Sequence, residues 1–207
     1  MSLPSTSQRE TACALLSEKG LVRMRDFRDA GVGAETVARL VREGAVERVA
    51  RGLYQLPDAM PDPQRNFAEA SALVPKGVIC LTSALQFHEM TLQMPSAVWM
   101  AIDRTGWKPK VEYPSIRFVR FGTKAMSEGI KHHQIDGVAV PIFEPAKTIV
   151  DCFRYRNKIG LDIALESLRE GLRAKRVTPD QLWKFARSAR VWTVMRPYVE
   201  AMVADGA

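Results

Sequence analysis

The chain has 207 residues, 46% of them hydrophobic and 26% charged, with 30 Lys/Arg against 23 Asp/Glu and a net charge of +7. This is globular composition with room for one large domain or two small ones, and it excludes an intrinsically disordered chain. No apolar run approaches the roughly 18 residues of a membrane span, and the polar stretch from Met1 to Glu10 has no signal-peptide core, so a soluble cytoplasmic protein is expected.

Chain order predicts the following elements. Ser7 with Glu10 three residues on makes a capping box, Ala12, Leu15 and Leu16 give an apolar stripe, and Gly20 stops this first helix. Leu21-Val22 adds a short strand. A second helix spans Arg25 to Ala30, Gly31-Val32-Gly33 turns the chain, and a third helix runs from Ala34 to Glu43 with Val37, Leu40 and Val41 inward. The runs 45–49 and 53–56, joined through Ala50-Arg51-Gly52, form a hairpin. Helix, helix, turn, helix, hairpin is the order of a winged helix-turn-helix, here residues 1–57.

Three prolines within residues 57–63 make 58–63 a linker. Residues 64–207 then form a second, α+β domain. It opens with a helix over 66–73, a buried strand at 78–81 and a helix to His88 capped by Thr82 or Ser83. Strands at 97–102 and 116–121 and a hairpin around Asp136-Gly137 follow. Helices close the chain: 146–153, 162–173, one led by Pro179 and capped by Thr178, and 191–204. The fold class is α+β, an N-terminal winged helix-turn-helix before a mixed domain with a helical C-terminus.

Positive charge favours acidic partners, of which nucleic acid is the commonest. Its distribution is uneven: residues 1–60 carry nine Lys/Arg against eight Asp/Glu, residues 104–133 seven against two, and residues 154–190 ten against four. In a helix-turn-helix the third helix enters the major groove of double-stranded DNA. Its outward positions are Thr36, Arg39 and Arg42. The planar fork of Arg39 suits O6 and N7 of guanine, Thr36 reaches a base edge or phosphate, and Arg42 suits the backbone. The wing supplies Arg48 and Arg51 for phosphate or the minor groove, and Arg23, Arg25 and Arg28 flank the second helix.

Several stretches resemble AbiEi-type antitoxins, the transcriptional regulators of bacterial abortive-infection toxin–antitoxin systems. They are Asp26-Phe27-Arg28-Asp29-Ala30-Gly31, the run from Val37 to Gly44, and the run from Arg48 to Pro57. Looser matches are Ile79 to Leu85 with His88, and Glu144 to Asp151. The resemblance implies a repressor of its own operon that binds inverted repeats in the promoter. It also implies an antitoxin that neutralises a nucleotidyltransferase-like toxin and restricts phage. It assigns the DNA role to Thr36, Arg39, Arg42, Arg48 and Arg51, and locates no toxin-contact residue. Where such proteins often open the second helix with Ser or Thr, Arg23-Met24-Arg25 stands here, leaving the cap to another group.

The other readings are a stand-alone winged-helix transcription factor whose second domain senses a ligand or dimerises, and a metal-dependent nuclease. Glu144 and Lys147 superficially suggest the nuclease, but their spacing of three, with Pro145 between, does not place both on one strand face. No enzyme activity and no cofactor or metal is expected: Gly31-Val32-Gly33 lacks the third glycine of a dinucleotide site, His132 and His133 point apart on a strand, and His88 reads as structural. Cys13, Cys80 and Cys152 read as buried hydrophobes, and Trp99, Trp107, Trp183 and Trp192 as packing residues. Arg169, Arg173 and Arg176 recur at near-helical spacing, partly balanced by Glu166 and Glu170. The basic second half faces DNA, an acidic toxin surface or solvent.

Overall fold

The computed structural model describes residues 7–59, 64–111 and 113–204; most of the expected linker, residues 60–63, lies outside them. The chain divides into two compact units, Met1–Pro75 with His133–Val140, and Lys76–His132 with Pro141–Ala207.

The first unit is built on α1 (Gln8–Lys19), β1 (Val22–Arg23), α2 (Met24–Asp29), α3 (Ala34–Arg42), β2 (Glu47–Ala50), β3 (Leu53–Gln55) and α4 (Arg65–Leu73). The three strands form an antiparallel sheet in the order β1-β3-β2, with a register shift between Arg48 and Ala50. Helix α1 starts as anticipated: the Ser7 hydroxyl accepts from Glu10 N–H at 3.2 Å, and the Glu10 carboxylate accepts from Ser7 N–H at 2.9 Å. At α2 the missing Ser/Thr cap is replaced twice. The Asp26 carboxylate accepts from Arg23 N–H at 3.1 Å, and Met24 N–H donates to the Gly52 carbonyl in the wing at 3.0 Å. Two of the orphan N–H groups of a helix start are thereby satisfied.

Ala12, Leu16, Val22, Phe27, Val32, Val37, Leu40, Val46 and Tyr54 make one core, with the Phe27 and Tyr54 rings edge to face at 5.8 Å. Full burial of each large apolar side chain contributes about 1.5–3 kcal/mol, an upper figure because unfolded chains already bury some surface. Val41, expected inward, is only partly buried, and so is Cys13, expected buried.

Two further segments join this unit. Arg65 at the start of α4 donates to Glu69 at 2.8 Å and to Gln55 on β3, so this helix groups with the winged segment. The Asp136 carbonyl accepts from Leu21 N–H at 3.1 Å. Gly137, at φ +68°, lies so close to the Lys19 carbonyl that a Cβ would collide with it.

The rest of the chain forms β4 (Val78–Ile79), α5 (Leu81–Phe87), β5 (Val98–Asp103), β6 (Ile116–Phe121), α6 (Thr123–Ser127), β7 (Ile130–Ile135) and β8 (Val138–Phe143), the parts of β7 and β8 within His133–Val140 belonging to the first unit. The helices α7 (Pro145–Arg154), α8 (Arg156–Ile159), α9 (Leu161–Arg173), α10 (Pro179–Ala189) and α11 (Trp192–Ala204) complete the second unit. The five-stranded sheet has the order β6-β5-β4-β8-β7, with β5 parallel to β6 and β4 parallel to β8. Helices α6 and α8 were not anticipated; both are too short for an apolar period to show.

Every residue of α7 from Ala146 to Phe153 is buried, and Ile149, Val150, Leu168, Leu172, Leu182 and Met195 share its core with Leu81, Leu85 and Phe143. Gly171 lets α9 approach closely, since a Cβ there would stand 2.7 Å from the Ile149 methyl. The expected cap of α5 by Thr82 or Ser83 is not made: Cys80 is the N-cap, without a side-chain bond, and the Ser83 hydroxyl instead accepts from Trp99 N–H on β5 at 2.9 Å. Thr178 does cap α10. The tryptophans correct another expectation, because Trp107 and Trp183 are exposed rather than packed.

Candidate nucleic-acid interface

Helix α3 is positioned by its inward residues Val37 and Leu40 and by a bond that sequence reasoning missed. Its N-cap is Gly33, which has no side chain to offer. The Gln8 side chain, from the first turn of α1, accepts from Gly33 N–H at 3.1 Å and from the Thr36 hydroxyl at 2.7 Å. One amide oxygen thus ties the start of α1 to the start of α3. At the opposite end Arg9 pairs with Glu43 at 2.6 Å. The signal for both bonds lay outside any local window, in residues more than 20 positions apart.

The outward side of α3 is a shallow depression lined by Glu35, Thr36, Ala38, Arg39 and Arg42. Arg39 is 57% exposed and stands 3.8 Å from Glu43, the acid already held by Arg9. Arg42 is exposed with no ion pair among the described residues. Thr36 is half-buried, and donating to Gln8 leaves its hydroxyl oxygen as an acceptor only. Exposed ion pairs of the Arg39–Glu43 kind are weak and screened by salt, so Arg39 exchanges Glu43 for another acceptor at little cost.

On the wing, Arg51 sits at the tip of the β2–β3 turn, exposed and without an ion pair among the described residues. Arg48 is exposed, and its Nε donates to the Ala50 carbonyl across the register shift at 3.3 Å. Arg25 is exposed and paired with Asp26 at 3.4 Å. Arg23 differs from the others. It is half-buried, its guanidinium donates to the Ser71 carbonyl at 3.4 Å, and burial together with the neighbouring Arg25 holds its pKa below the usual value. Arg39, Arg42, Arg48 and Arg51 are therefore all held on ordered backbone with their charged ends accessible, which is what contact with phosphate or base edges requires.

In the second unit the lysine of the pair that suggested a nuclease has a structural partner, while the Glu144 side chain makes no cap bond. Lys147 and Asp151 form a buried ion pair one turn apart on α7. The Lys147 ammonium also lies 4.5 Å from the Phe143 ring centroid and 5.0 Å from that of Phe121, a cation–π arrangement. Burial pushes the Asp151 carboxyl up to about 6, against the pull of Lys147. Glu144 is the N-cap of α7, and the His88 ring bonds the Phe143 carbonyl at 2.8 Å. Among the described residues no cluster of three His, Cys, Asp or Glu side chains is arranged to hold a metal, and no helix is long and apolar enough to cross a membrane. Of the arginine series near α9, Arg173 pairs with Glu170 at 2.6 Å and Arg176, beyond the helix end, with Glu89, while Arg169 is exposed with no ion pair among the described residues.

Residues 14–57 match a family model described as transcriptional regulator, AbiEi antitoxin. The match covers the segment from the second half of α1 through the wing. No curated protein matches the chain. Among solved structures, the fold is similar to the crystal structure of the RV2827C protein from Mycobacterium tuberculosis, with a TM-score of 0.61 and 12% identity, over 97% of this chain and 79% of that one. At that identity the likeness is one of fold.

Proposed function

We propose that this chain is a DNA-binding transcriptional regulator of the AbiEi antitoxin kind. In this reading α3 enters the major groove of its own promoter and the wing lies against the backbone. Arg39 reads a base edge, Thr36 accepts at the groove, and Arg42, Arg48, Arg51 and Arg25 contact phosphate. The observation that carries the reading is the coincidence of the family match over residues 14–57 with four accessible arginines on α3 and the wing. The near-neutral charge of this segment fits a docking surface that gains affinity from placed cations rather than from bulk field.

The antitoxin role extends the same reading: the chain represses its operon and neutralises a nucleotidyltransferase-like toxin in a phage abortive-infection system. The match ends at residue 57, which also favours a second reading, a stand-alone regulator whose second unit does other work. A gel shift with the protein's upstream region, across salt concentrations, tests the DNA role. Retarded bands that weaken steeply with salt are expected, and no shift at low salt refutes it. Co-expression with a neighbouring nucleotidyltransferase-like reading frame separates the two readings. Rescue of growth supports the antitoxin, and unrelieved toxicity supports the stand-alone regulator.

A further inference from the structure

Strand β6 ends the sheet order, and the chain reaches it from the parallel strand β5 through residues 104–115. Two aromatic side chains on that connection are left in solvent, Trp107 at 80% and Tyr113 at 61% exposure. Burying such side chains contributes more than burying almost any other, so folding alone does not account for their exposure.

The connection runs over the face of β6 that carries Phe118 and Arg120. Arg120 donates to the carbonyls of Asp103, Arg104 and Gly106 at 3.3, 2.7 and 3.0 Å, which pins the turn immediately before Trp107. Lys108 then lies over the Phe118 ring at 5.7 Å. The six-residue β5–β6 ladder, from Val98–Ile116 to Asp103–Phe121, is about 17 Å long at the usual strand rise.

Residues 104–120 carry Arg104, Lys108, Lys110, Arg117 and Arg120 against the single acid Glu112, which lies outside the described residues. All five cations are exposed. Asp103, at the end of β5, is occupied by Thr105 and Thr123. Charged residues on an edge strand deter pairing with other sheets. That accounts for Arg117 and Arg120, but not for an exposed tryptophan held beside a pinned turn.

We propose that this connection is a second nucleic-acid site, for single-stranded DNA or RNA, in which Trp107 and Tyr113 stack on unpaired bases and Arg104, Lys108 and Lys110 track the phosphates. Every base has a π face, so stacking on aromatic side chains tolerates sequence, and the cations supply the salt-dependent part. Duplex DNA keeps its bases stacked on one another and offers these rings nothing equivalent. The site lies within the second unit and does not depend on the operator contact proposed above.

The test is fluorescence anisotropy of labelled oligo(dT) and oligo(U) with the full-length protein at low salt. Wild type binds both or one of them; Trp107→Ala weakens binding roughly tenfold, and Trp107→Phe stays within about threefold of wild type. Lys108→Ala with Lys110→Ala lowers the slope of log affinity against log salt by about 1.4. The Arg39→Ala, Arg51→Ala double variant keeps its single-strand affinity while losing the promoter duplex. If wild type fails to bind the promoter but still binds oligo(dT) through Trp107, this site stands and the operator reading falls. No binding to either oligonucleotide overturns the proposal, as does unchanged binding by Trp107→Ala. So does loss of single-strand binding in the Arg39, Arg51 variant. A Trp107→Ala protein that binds oligo(dT) normally but no longer self-associates gives the face to a protein partner, and equally overturns it.

Discussion

Replacing Lys147 by Met removes the counter-charge of Asp151 without emptying the space beside the stacked Phe121 and Phe143 rings. Both members of the pair are shut away from water, with side-chain exposures of 3% and 1%. Burial raises the Asp151 carboxyl from 3.8 to about 6, so in the folded state it holds its proton more tightly than in the unfolded chain. A shift of about two units corresponds to roughly 3 kcal/mol. That contribution is fully present below pH 3.8, declines as the pH climbs to about 6, and is absent above. At pH 7 the wild-type carboxylate is therefore ionised and depends on Lys147.

Lys147→Met is expected to lose about 3–5 kcal/mol at pH 7, the usual result of leaving one buried charge alone. The loss shrinks to about 1 kcal/mol or less at pH 5, where Asp151 is already protonated. Lys147→Met combined with Asp151→Leu removes both charges and returns stability to within about 1 kcal/mol of wild type, or above it. Urea unfolding followed by far-UV circular dichroism at the two pH values measures all three. A single variant that loses under about 1 kcal/mol at pH 7, or a double variant as unstable as the single, refutes the reasoning.

The promoter contact yields two further expectations. Arg39→Ala weakens specific binding by roughly 1–3 kcal/mol and relaxes base preference at one position; unchanged affinity and preference in a competition assay rule it out as a base reader. Arg51→Ala lowers affinity for all duplexes alike and flattens the salt slope by about 0.9, whereas a loss confined to one operator argues for base contact instead. Gln8→Ala unties the start of α3 and costs about 0.5–2 kcal/mol, typical of a lost helix cap; a melt indistinguishable from wild type means the bond contributes nothing. Gly137→Ala combines a left-handed backbone with a collision against the Lys19 carbonyl. It is expected to cost more than about 2 kcal/mol, beyond the strain of a Cβ at positive φ, and a neutral thermal shift contradicts that packing.

Much of the architecture is written in short-range pattern. The Ser7–Glu10 box, the Thr178 cap, the inward Val37 and Leu40, and the Asp136-Gly137 turn were all legible, because each depends on residues within four positions of one another. The candidate DNA residues were legible for the same reason: helical period alone puts Arg39 and Arg42 opposite the buried stripe.

Long-range pairing decided the rest. Gln8 closes α3 from 25 positions away, the wing carbonyl of Gly52 completes α2, and residues 133–140 join a unit whose other residues precede position 76. No periodicity announces such bonds, since a polar group accepts whichever donor the folded chain brings to it. Exposure of Trp107 was equally hidden: hydrophobicity states what a side chain prefers, and only the packed structure shows which apolar groups stay in solvent.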